Sequence, residues 1–405
     1  MNIVGVTGTN GKTTCVHLIC HLIKDHTNCA SFGTLGIKQY INDYCFETKT
    51  TLTTLGNQEL HKNLSEVAKN DCKFVAMEVS SHGLDQKRTA NVNFSVAVFT
   101  NLSHDHLDYH KTMEHYFQTK VKLFTDYTQE LKYAVINLDD PYGLKLIEIL
   151  INNNHKLKII GFSTKIAKEH IDIKNIDRIT CEQITFNTSG IQATITTPWG
   201  TSTLNTPLLG IHNLSNLIAS IAVCMCSFDN LLLTELLEKC SKLQPATGRL
   251  QHINGWNIEY PIIIDYAHTP DGLEKALKAI KQHYHNKKIC CVFGCGGNRD
   301  ATKRPKMLEV ADHYCDAVIL TQDNSRFENP EQIIADILSY KTTKLLEAPI
   351  VEMDRKQAIY KAIKHYYKDY IILIAGKGHE TKQIIGDQEY PFCDGEVAEE
   401  ALNNV

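Results

Sequence analysis

The amino-acid sequence predicts an α/β protein built as two consecutive units. Each is a mostly parallel sheet wrapped by helices, and the first carries an antiparallel insert. Three observations support this. An apolar run, a glycine-bearing loop and a helical pattern follow one another at 3–23. Strand-like and helix-like runs alternate from there to residue 160. The alternation restarts after a stretch containing Pro and Gly at 243–249. The 405 residues suffice for two or three domains with cores of their own.

Ile3–Thr7 is the first strand. Gly8, Thr9, Asn10 and Gly11 turn the backbone, and Lys12, Thr13 and Thr14 open a helix through Ile23. This layout suits a triphosphate. Backbone N–H groups at a helix N-terminus face the phosphates, the lysine reaches the outer ones, and a threonine hydroxyl ligates Mg²⁺. Val6 stands where a glycine usually begins the motif, the nearest glycines being Gly5 and Gly8.

Further strands are expected at Lys73–Val79, Val92–Leu102, Tyr133–Leu138 and Lys158–Phe162, with helices at Thr112–Phe124 and Tyr142–Ile151. Residues 170–205 change character. They are rich in Thr and Ile, alternate, and break at Asn187–Gly190 and Pro198–Gly200, so they read as the antiparallel insert. A helical pair follows at 213–227 and 232–242. The linker Leu243–Arg249 places a domain boundary near Ala246, giving domains 1–245 and 246–405. In the second, a Rossmann-like alternation is expected. Its strands are Ile262–Ile264, Ile289–Phe293, Ala317–Thr321 and, last, Tyr370–Ala375. Its helices are Asp271–His283, Pro305–Tyr314 and Pro330–Ser339.

With 43% hydrophobic and 22% charged residues, the composition is that of a globular protein, and a net charge of −4 points to neither nucleic acid nor an anionic membrane as partner. No apolar stretch approaches bilayer length, and no basic segment leads into an apolar one at the N-terminus, so a cytoplasmic protein is expected, acting as a monomer. The fourteen cysteines are scattered and form no CxxC pair; reduced core residues are expected rather than disulfides or zinc ligands.

Several clusters follow apolar strands. Glu78 ends the run Ala76–Val79 just before Ser80-Ser81-His82-Gly83, at the sheet edge where ligands of open α/β proteins bind, and a carboxylate there suits Mg²⁺. Thr100–His110 holds three histidines and two aspartates between His104 and His110. With a phosphate loop present and no cysteine nearby, Mg²⁺ with a histidine ligand fits better than zinc. Lys120, on an amphipathic helix, reads from its pattern alone as a surface group. The second half carries Asp265–Pro270, Gly294–Asp300, Asp323–Glu328 and Gly376–Glu380. Their glycine-rich turns with Arg299, Arg326 and Lys377 form a cationic rim suited to a small carboxylate-bearing molecule.

Together these motifs resemble the Mur ligase family, in particular its tripeptide-forming (MurE) type, over nearly the whole chain. The motifs are Gly-Thr-Asn-Gly-Lys-Thr-Thr at 8–14, Met-Glu-Val-Ser-Ser-His-Gly-Leu at 77–84, Thr-Asn-Leu-Ser-His-Asp-His-Leu-Asp-Tyr-His at 100–110, Asp-Tyr-Ala-His-Thr-Pro at 265–270 and Gly-Lys-Gly-His-Glu at 376–380. The resemblance implies an ATP-dependent amide ligase of peptidoglycan precursor synthesis. Such an enzyme activates the carboxylate of UDP-MurNAc-L-Ala-D-Glu as an acyl phosphate for attack by an amino acid's amine. It implies that Lys12 meets the γ-phosphate, that Thr13, Glu78 and His106 hold Mg²⁺, and that Lys120 is a carbamate holding a second Mg²⁺. It further implies that Thr53, Thr54, Ser80, Gln86 and Arg88 grip the nucleotide-dipeptide, that Asn213 and Asn216 contact adenine, and that Arg249 lies near the phosphates. Arg299, Asp323, Asn324, Arg326, Gly376 and Glu380 would receive the amino acid. In the family, Asp-Asn-Pro-Arg marks meso-diaminopimelate-adding members. Here the motif is Asp-Asn-Ser-Arg, and the retained Arg326 favours meso-diaminopimelate over lysine, while Ser325 replaces the rigid proline. Family members also carry an N-terminal uridine-binding domain, which this sequence is expected to lack. Two rival readings are a related ligase acting on a substrate without UDP, of the folylpolyglutamate or peptide-polymer type, and a phosphate-loop ATPase that does not ligate.

Overall fold

The computed structural model describes residues 1–42, 44–126, 130–153, 156–165, 176–255, 258–345 and 347–404. They fall into two compact units. One comprises Met1–Thr185, Ile191–Pro207 and Ile211–Gln244; the other comprises Phe186–Gly190, Leu208–Gly210 and Pro245–Val405.

The first unit opens with β1 (Asn2–Thr7), apolar and buried over Ile3–Val6, as a central parallel strand must be. Helix α1 (Lys12–Ile23) starts after Gly11, whose backbone is left-handed at φ 89°. Its first turn carries no acidic residue and its N-cap makes no side-chain bond, so no carboxylate offsets the positive end of the helix there. An antiparallel pair of hairpins follows, β2 (Cys29–Gly33), β3 (Gly36–Ile41) and β4 (Tyr44–Thr48). Sequence pattern did not anticipate it. The β2–β3 turn depends on Gly36 at φ 86°, and β4 is exposed along its whole length, so it shows no apolar alternation.

Next come α2 (Asn57–Lys69), β5 (Phe74–Glu78), α3 (Ser81–Asp85) and β6 (Val96–Phe99). The strand expected at Val92–Leu102 shrinks to four residues at β6. Asn91 is left-handed at φ 63° and the Val92 amide closes a turn onto Thr89 O, while Thr100 leaves the sheet to brace the phosphate loop. The unit continues through α4 (Leu107–His110), α5 (Met113–Thr125), β7 (Tyr133–Asn137), α6 (Pro141–Asn153), β8 (Lys158–Ser163), β9 (Asp177–Asn187), β10 (Gly190–Thr197), β11 (Gly200–Thr206), α7 (Ile211–Ser227) and α8 (Leu233–Cys240). The strands form one sheet in the order β11-β10-β9-β8-β7-β6-β1-β5-β2-β3-β4.

The region read as an antiparallel insert is therefore an extension of the main sheet. β9 pairs parallel with β8, β10 lies beside β9, and β10 pairs antiparallel with β11; residues 170–175 of that expected stretch lie outside the described ones. Because β1 lies between β5 and β6, with Val6 opposite Glu78 and Thr7 opposite Phe99, three strands end side by side at the phosphate loop.

The second unit contains β12 (Gln251–His252), β13 (Ile262–Asp265), α9 (Pro270–His283), β14 (Lys288–Phe293), α10 (Lys303–Tyr314), β15 (Ala317–Leu320), α11 (Pro330–Ile337), β16 (Ile350–Val351), α12 (Arg355–Tyr366), β17 (Tyr370–Ala375), β18 (Lys382–Ile385), β19 (Gln388–Pro391) and α13 (Asp394–Leu402). Its main sheet runs β12-β13-β17-β14-β15-β16, parallel from β13 to β16. Helix starts are specified locally. Thr269 caps α9 ahead of Pro270, Asn329 caps α11 ahead of Pro330, and Asp354 caps α12. Beyond Tyr370–Ala375, the last strand clear in the sequence, a β18–β19 hairpin follows, turned by Gly386 at φ 61° and too exposed to show an apolar pattern. All fourteen cysteines are free thiols, and no helix among the described residues is long and apolar enough to cross a membrane.

Candidate active site

The phosphate loop is held open by glycine and by a second loop behind it. A β-carbon at Gly8 would lie 1.9 Å from Thr100 Oγ1, and one at Gly11 would lie 2.4 Å from Asn216 Oδ1. Behind the loop, Thr9 N donates to Asn101 O (2.8 Å), Asn10 N to Asn101 Oδ1 (2.9 Å) and Thr100 Oγ1 to Asn10 O (2.6 Å). Asn137 in turn donates from Nδ2 to Thr100 O (2.7 Å). Lys12 folds back so that Nζ donates to Gly8 O and Thr9 O, both at 2.9 Å. Thr13 and Thr14 are buried in the first turn of α1. Asn213 and Asn216 lie in the first two turns of α7, joined by Asn216 Nδ2 donating to Asn213 Oδ1 (3.4 Å). The Cys15 thiol, on α1, donates to Asn216 Oδ1 (3.6 Å). The phosphate-loop residues and the Asn213–Asn216 pair are thus contiguous in this unit, whereas Arg249, also expected near the phosphates, belongs to the second.

Glu78 closes β5 almost wholly buried, and its carboxylate has specific partners. Oε1 accepts from Thr34 N (2.8 Å) and Oε2 from Thr34 Oγ1 (3.3 Å). A β-carbon at Gly33 would lie 2.2 Å from Oε1, so the residue before Thr34 has room only for hydrogen. Thr34 was not legible as a functional residue; its one signal is the turn Gly33-Thr34-Leu35-Gly36. From here the expected nucleotide-dipeptide residues form a connected network. The Thr34 and Thr53 hydroxyls are 3.1 Å apart, Thr54 Oγ1 donates to Glu78 O (2.9 Å) and accepts from Ser80 N (3.0 Å), and Arg88 Nη1 donates to Thr54 O (2.9 Å). Arg88 also donates to Gln86 Oε1 from Nε (2.9 Å) and Nη2 (2.5 Å), and Ser80 Oγ caps α3 by accepting from Gly83 N (3.0 Å).

Lys120 corrects the surface reading. It is only 1% exposed, with Nζ donating to Gly8 O (3.0 Å) and lying 4.6 Å from the centre of the Tyr116 ring. Burial, reinforced by the Lys12 charge, holds its ammonium well below the ordinary lysine range. Tyr116, one helical turn earlier on the same face of α5, has its hydroxyl 3.2 Å from Thr9 Oγ1. Its spacing from Lys120 is the only trace of this in sequence. His106 caps α4 from a left-handed backbone (φ 53°) with its side chain 45% exposed and its ring edge-on to His82 at 5.0 Å. His110, by contrast, is buried and pairs through Nε2 with Ser81 Oγ (2.9 Å).

In the second unit, Lys377 is not part of a free cationic rim. It is fully buried, with Nζ donating to Glu380 Oε2 (2.8 Å) and Asn324 Oδ1 (3.0 Å), while Asn324 Nδ2 donates to the same Glu380 oxygen (2.9 Å). A β-carbon at Gly376 would lie 2.9 Å from Asp323 Oδ2. Arg326 is left-handed at φ 51°, and its Nη1 donates to Gly297 O (2.9 Å); its Nε and Nη2 make no bond among the described residues. Gly296 lies between the two arginines: a β-carbon there would be 3.1 Å from Arg326 Nη1 and 4.0 Å from Cγ of the exposed Arg299. Beneath this cluster, the buried pair Arg355–Asp394 (2.8 Å) donates from Nη2 to Ala375 O (3.0 Å), steadying the strand end before Gly376. Sequence pattern missed it. Arg249 stacks its guanidinium 4.7 Å from the centre of the Tyr266 ring, and Asp265 Oδ2 accepts from Leu250 N (2.8 Å).

Residues 6–224 match the Mur ligase middle domain, and residues 248–378 match the Mur ligase, glutamate ligase domain. The chain is 42% identical to the UDP-N-acetylmuramoyl-L-alanyl-D-glutamate–2,6-diaminopimelate ligase of Coxiella burnetii, with 99% of this chain and 78% of that protein covered. It is 39% identical to the protein of the same name from Chromobacterium violaceum, covering 99% and 77%. A solved structure of a ligase with this name aligns at a TM-score of 0.70 and 36% identity, covering 100% of this chain and 78% of that one. Mycobacterium tuberculosis folylpolyglutamate synthase aligns at 0.69 but with 16% identity, covering 93% and 88%, which speaks to the fold alone.

Proposed function

The chain belongs to the Mur ligase family, and from that membership we infer that it is an ATP-dependent ligase joining meso-diaminopimelate to the glutamate carboxylate of UDP-N-acetylmuramoyl-L-alanyl-D-glutamate in peptidoglycan precursor synthesis. We assign ATP and the nucleotide-dipeptide to residues 1–245 and the incoming amino acid to 246–405.

In this reading the substrate carboxylate attacks the γ-phosphorus of ATP and ADP departs. The diaminopimelate amine then attacks the acyl carbon, losing its proton, and inorganic phosphate leaves. Lys12 and the N-terminal amides of α1 hold the phosphates, where fixed donors best stabilise charge moving between oxygens. Asn213 and Asn216 place the base. Thr53, Thr54, Ser80, Gln86 and Arg88 orient the dipeptide end. Among the described residues, no three His, Cys, Asp or Glu side chains form a ready metal cage. The donors at hand fit Mg²⁺, which binds through one or two carboxylates together with phosphate oxygens: the buried Glu78, Thr13 and, more exposed, His106. Bound there, Mg²⁺ would neutralise phosphate charge. Burial and the Lys12 charge disfavour the Lys120 ammonium, and its amine, in the neutral form, can add CO₂ and release a proton, becoming a carbamate that offers a second carboxylate-like ligand.

The observation that supports the choice of amino acid is Arg326. Its Nη1 is tied to Gly297 O, and Nε and Nη2 are left to receive a carboxylate side by side, as a second amino-acid carboxylate requires. Glu380 Oε1 accepts no bond among the described residues and suits an ammonium group. Phosphate release is the test, measured with the nucleotide-dipeptide plus meso-diaminopimelate, plus lysine, or with no amino acid. Release with diaminopimelate alone is expected, and equal release in all three would overturn the ligase reading. Arg326→Ala should cost the diaminopimelate reaction about 2–5 kcal/mol in transition-state binding. An equal loss with lysine would count against the assigned contact.

A further inference from the structure

We propose that Gln322 is a positioning residue for the incoming amino acid, acting through Ser325 to hold the turn that presents Arg326. The proposal rests on the reading of residues 323–326 as part of the amino-acid site.

Arg326 adopts a left-handed backbone (φ 51°), a conformation that non-glycine residues keep only when their surroundings enforce it. Three contacts enforce it from the far side: Arg326 N donates to Ile384 O (3.1 Å), Gly386 N donates to Arg326 O (2.7 Å), and the side chain donates to Gly297 O (2.9 Å). On the near side, Ser325 is 1% exposed. Its carbonyl accepts from Glu328 N (3.1 Å) and lies so close to Gly297 that a β-carbon there would come within 1.9 Å. The remaining freedom of the turn is at the Ser325 side chain, and Gln322 removes it. Its Nε2 donates to Ser325 Oγ (2.9 Å), closing the four residues 322–325 into a side-chain-bridged turn.

A pyrrolidine ring at 325 would stiffen the same turn by fixing φ. The Ser325 amide donates to no partner among the described residues, so a proline there would cost no hydrogen bond. Bridge and ring are alternative solutions to one requirement, a rigid platform for the Arg326 guanidinium. A loosened turn makes the guanidinium search for its pose, and the added ordering cost falls on amino-acid binding alone.

The experiment compares wild type, Gln322→Ala, Ser325→Ala and the double variant Gln322→Ala/Ser325→Pro in steady-state kinetics with each substrate varied, checking folding by thermal melting. Each single variant is expected to raise KM for meso-diaminopimelate about five- to tenfold, the value of one hydrogen bond, with KM for ATP and for the nucleotide-dipeptide unchanged. The double variant is expected to return KM for diaminopimelate to within about twofold of wild type. Unchanged KM in both single variants, a rise shared by all three substrates, or no recovery with proline would overturn the proposal. A wild type that turns over lysine in place of diaminopimelate fails the substrate reading instead. The same comparison is then made with lysine, and the positioning role stands or falls on whether the rise is confined to that amino acid.

Discussion

At the scale of single residues, Lys120 shows how position overrides type. A lysine on an amphipathic helix is ordinarily solvated, yet here the ammonium would have to be charged in a fully buried site beside Lys12. Desolvation and like charge both favour the neutral amine, the form that reacts with CO₂. Lys120→Ala is expected to lower kcat about 10²–10³-fold, in the range found when one charge-stabilising group is removed from a transition state. Full activity in that variant would rule the role out. Lys120→Ala also leaves Gly8 O without the 3.0 Å bond from Nζ, so a measurement of ATP KM separates loop damage from loss of the ligand.

At the scale of elements, the start of α1 is built from backbone that only glycine allows. Gly11 is left-handed at φ 89°, and its absent side chain leaves the space taken by the Asn216 amide on α7. Gly11→Ala combines left-handed strain of about 1–2 kcal/mol with a displaced Asn216. It should weaken ATP binding more than tenfold while the melting temperature falls by only a few degrees. A variant with lower stability and unchanged ATP affinity would show that the glycine serves packing alone. The element scale also explains the caps. Thr269, Asn329 and Asp354 each satisfy an N-terminal amide of a second-unit helix, so these helix starts are set locally.

At the scale of the whole molecule, stability should depend on pH through buried neutral histidines. Burial pushes the pKa of His17 down to about 3 and those of His110 and His252 down to about 4. In the unfolded chain these groups protonate near pH 6.5. Between pH 6.5 and about 4 the unfolded state therefore binds protons that the folded state refuses, and stability must fall as pH falls through that window. The loss for His110 and His252, which are 1% and 9% exposed, is on the order of 1–2 kcal/mol each by pH 5. Carboxylates with lowered pKa values, such as Asp312 and Glu328, act in the same direction only at more acidic pH. Chemical denaturation at pH 7 and pH 5 checks this, and equal midpoints would contradict it.

Much of the molecule was legible in the linear order of residues. The phosphate loop, the strand ends at Glu78 and Thr100, the alternation of both units and the Asp-Asn-Ser-Arg turn are each marked by residue types at short spacings, so the linear order carries them even though distant partners hold them in place. The β2–β4 hairpins, the β18–β19 hairpin and the way β9 joins the main sheet were not legible. Exposed strands have no apolar period to betray them, and pairing depends on partners far along the chain. Tertiary structure alone decided the states of particular side chains. It buried Lys120 over Tyr116, set Lys377 between Asn324 and Glu380, gave Glu78 its partner in Thr34, and bridged Gln322 to Ser325. The sequence determined which chemical groups are present and near which turns. Only packing determined their charge and aim, because desolvation and hydrogen bonding depend on what surrounds a group rather than on what precedes it in the chain.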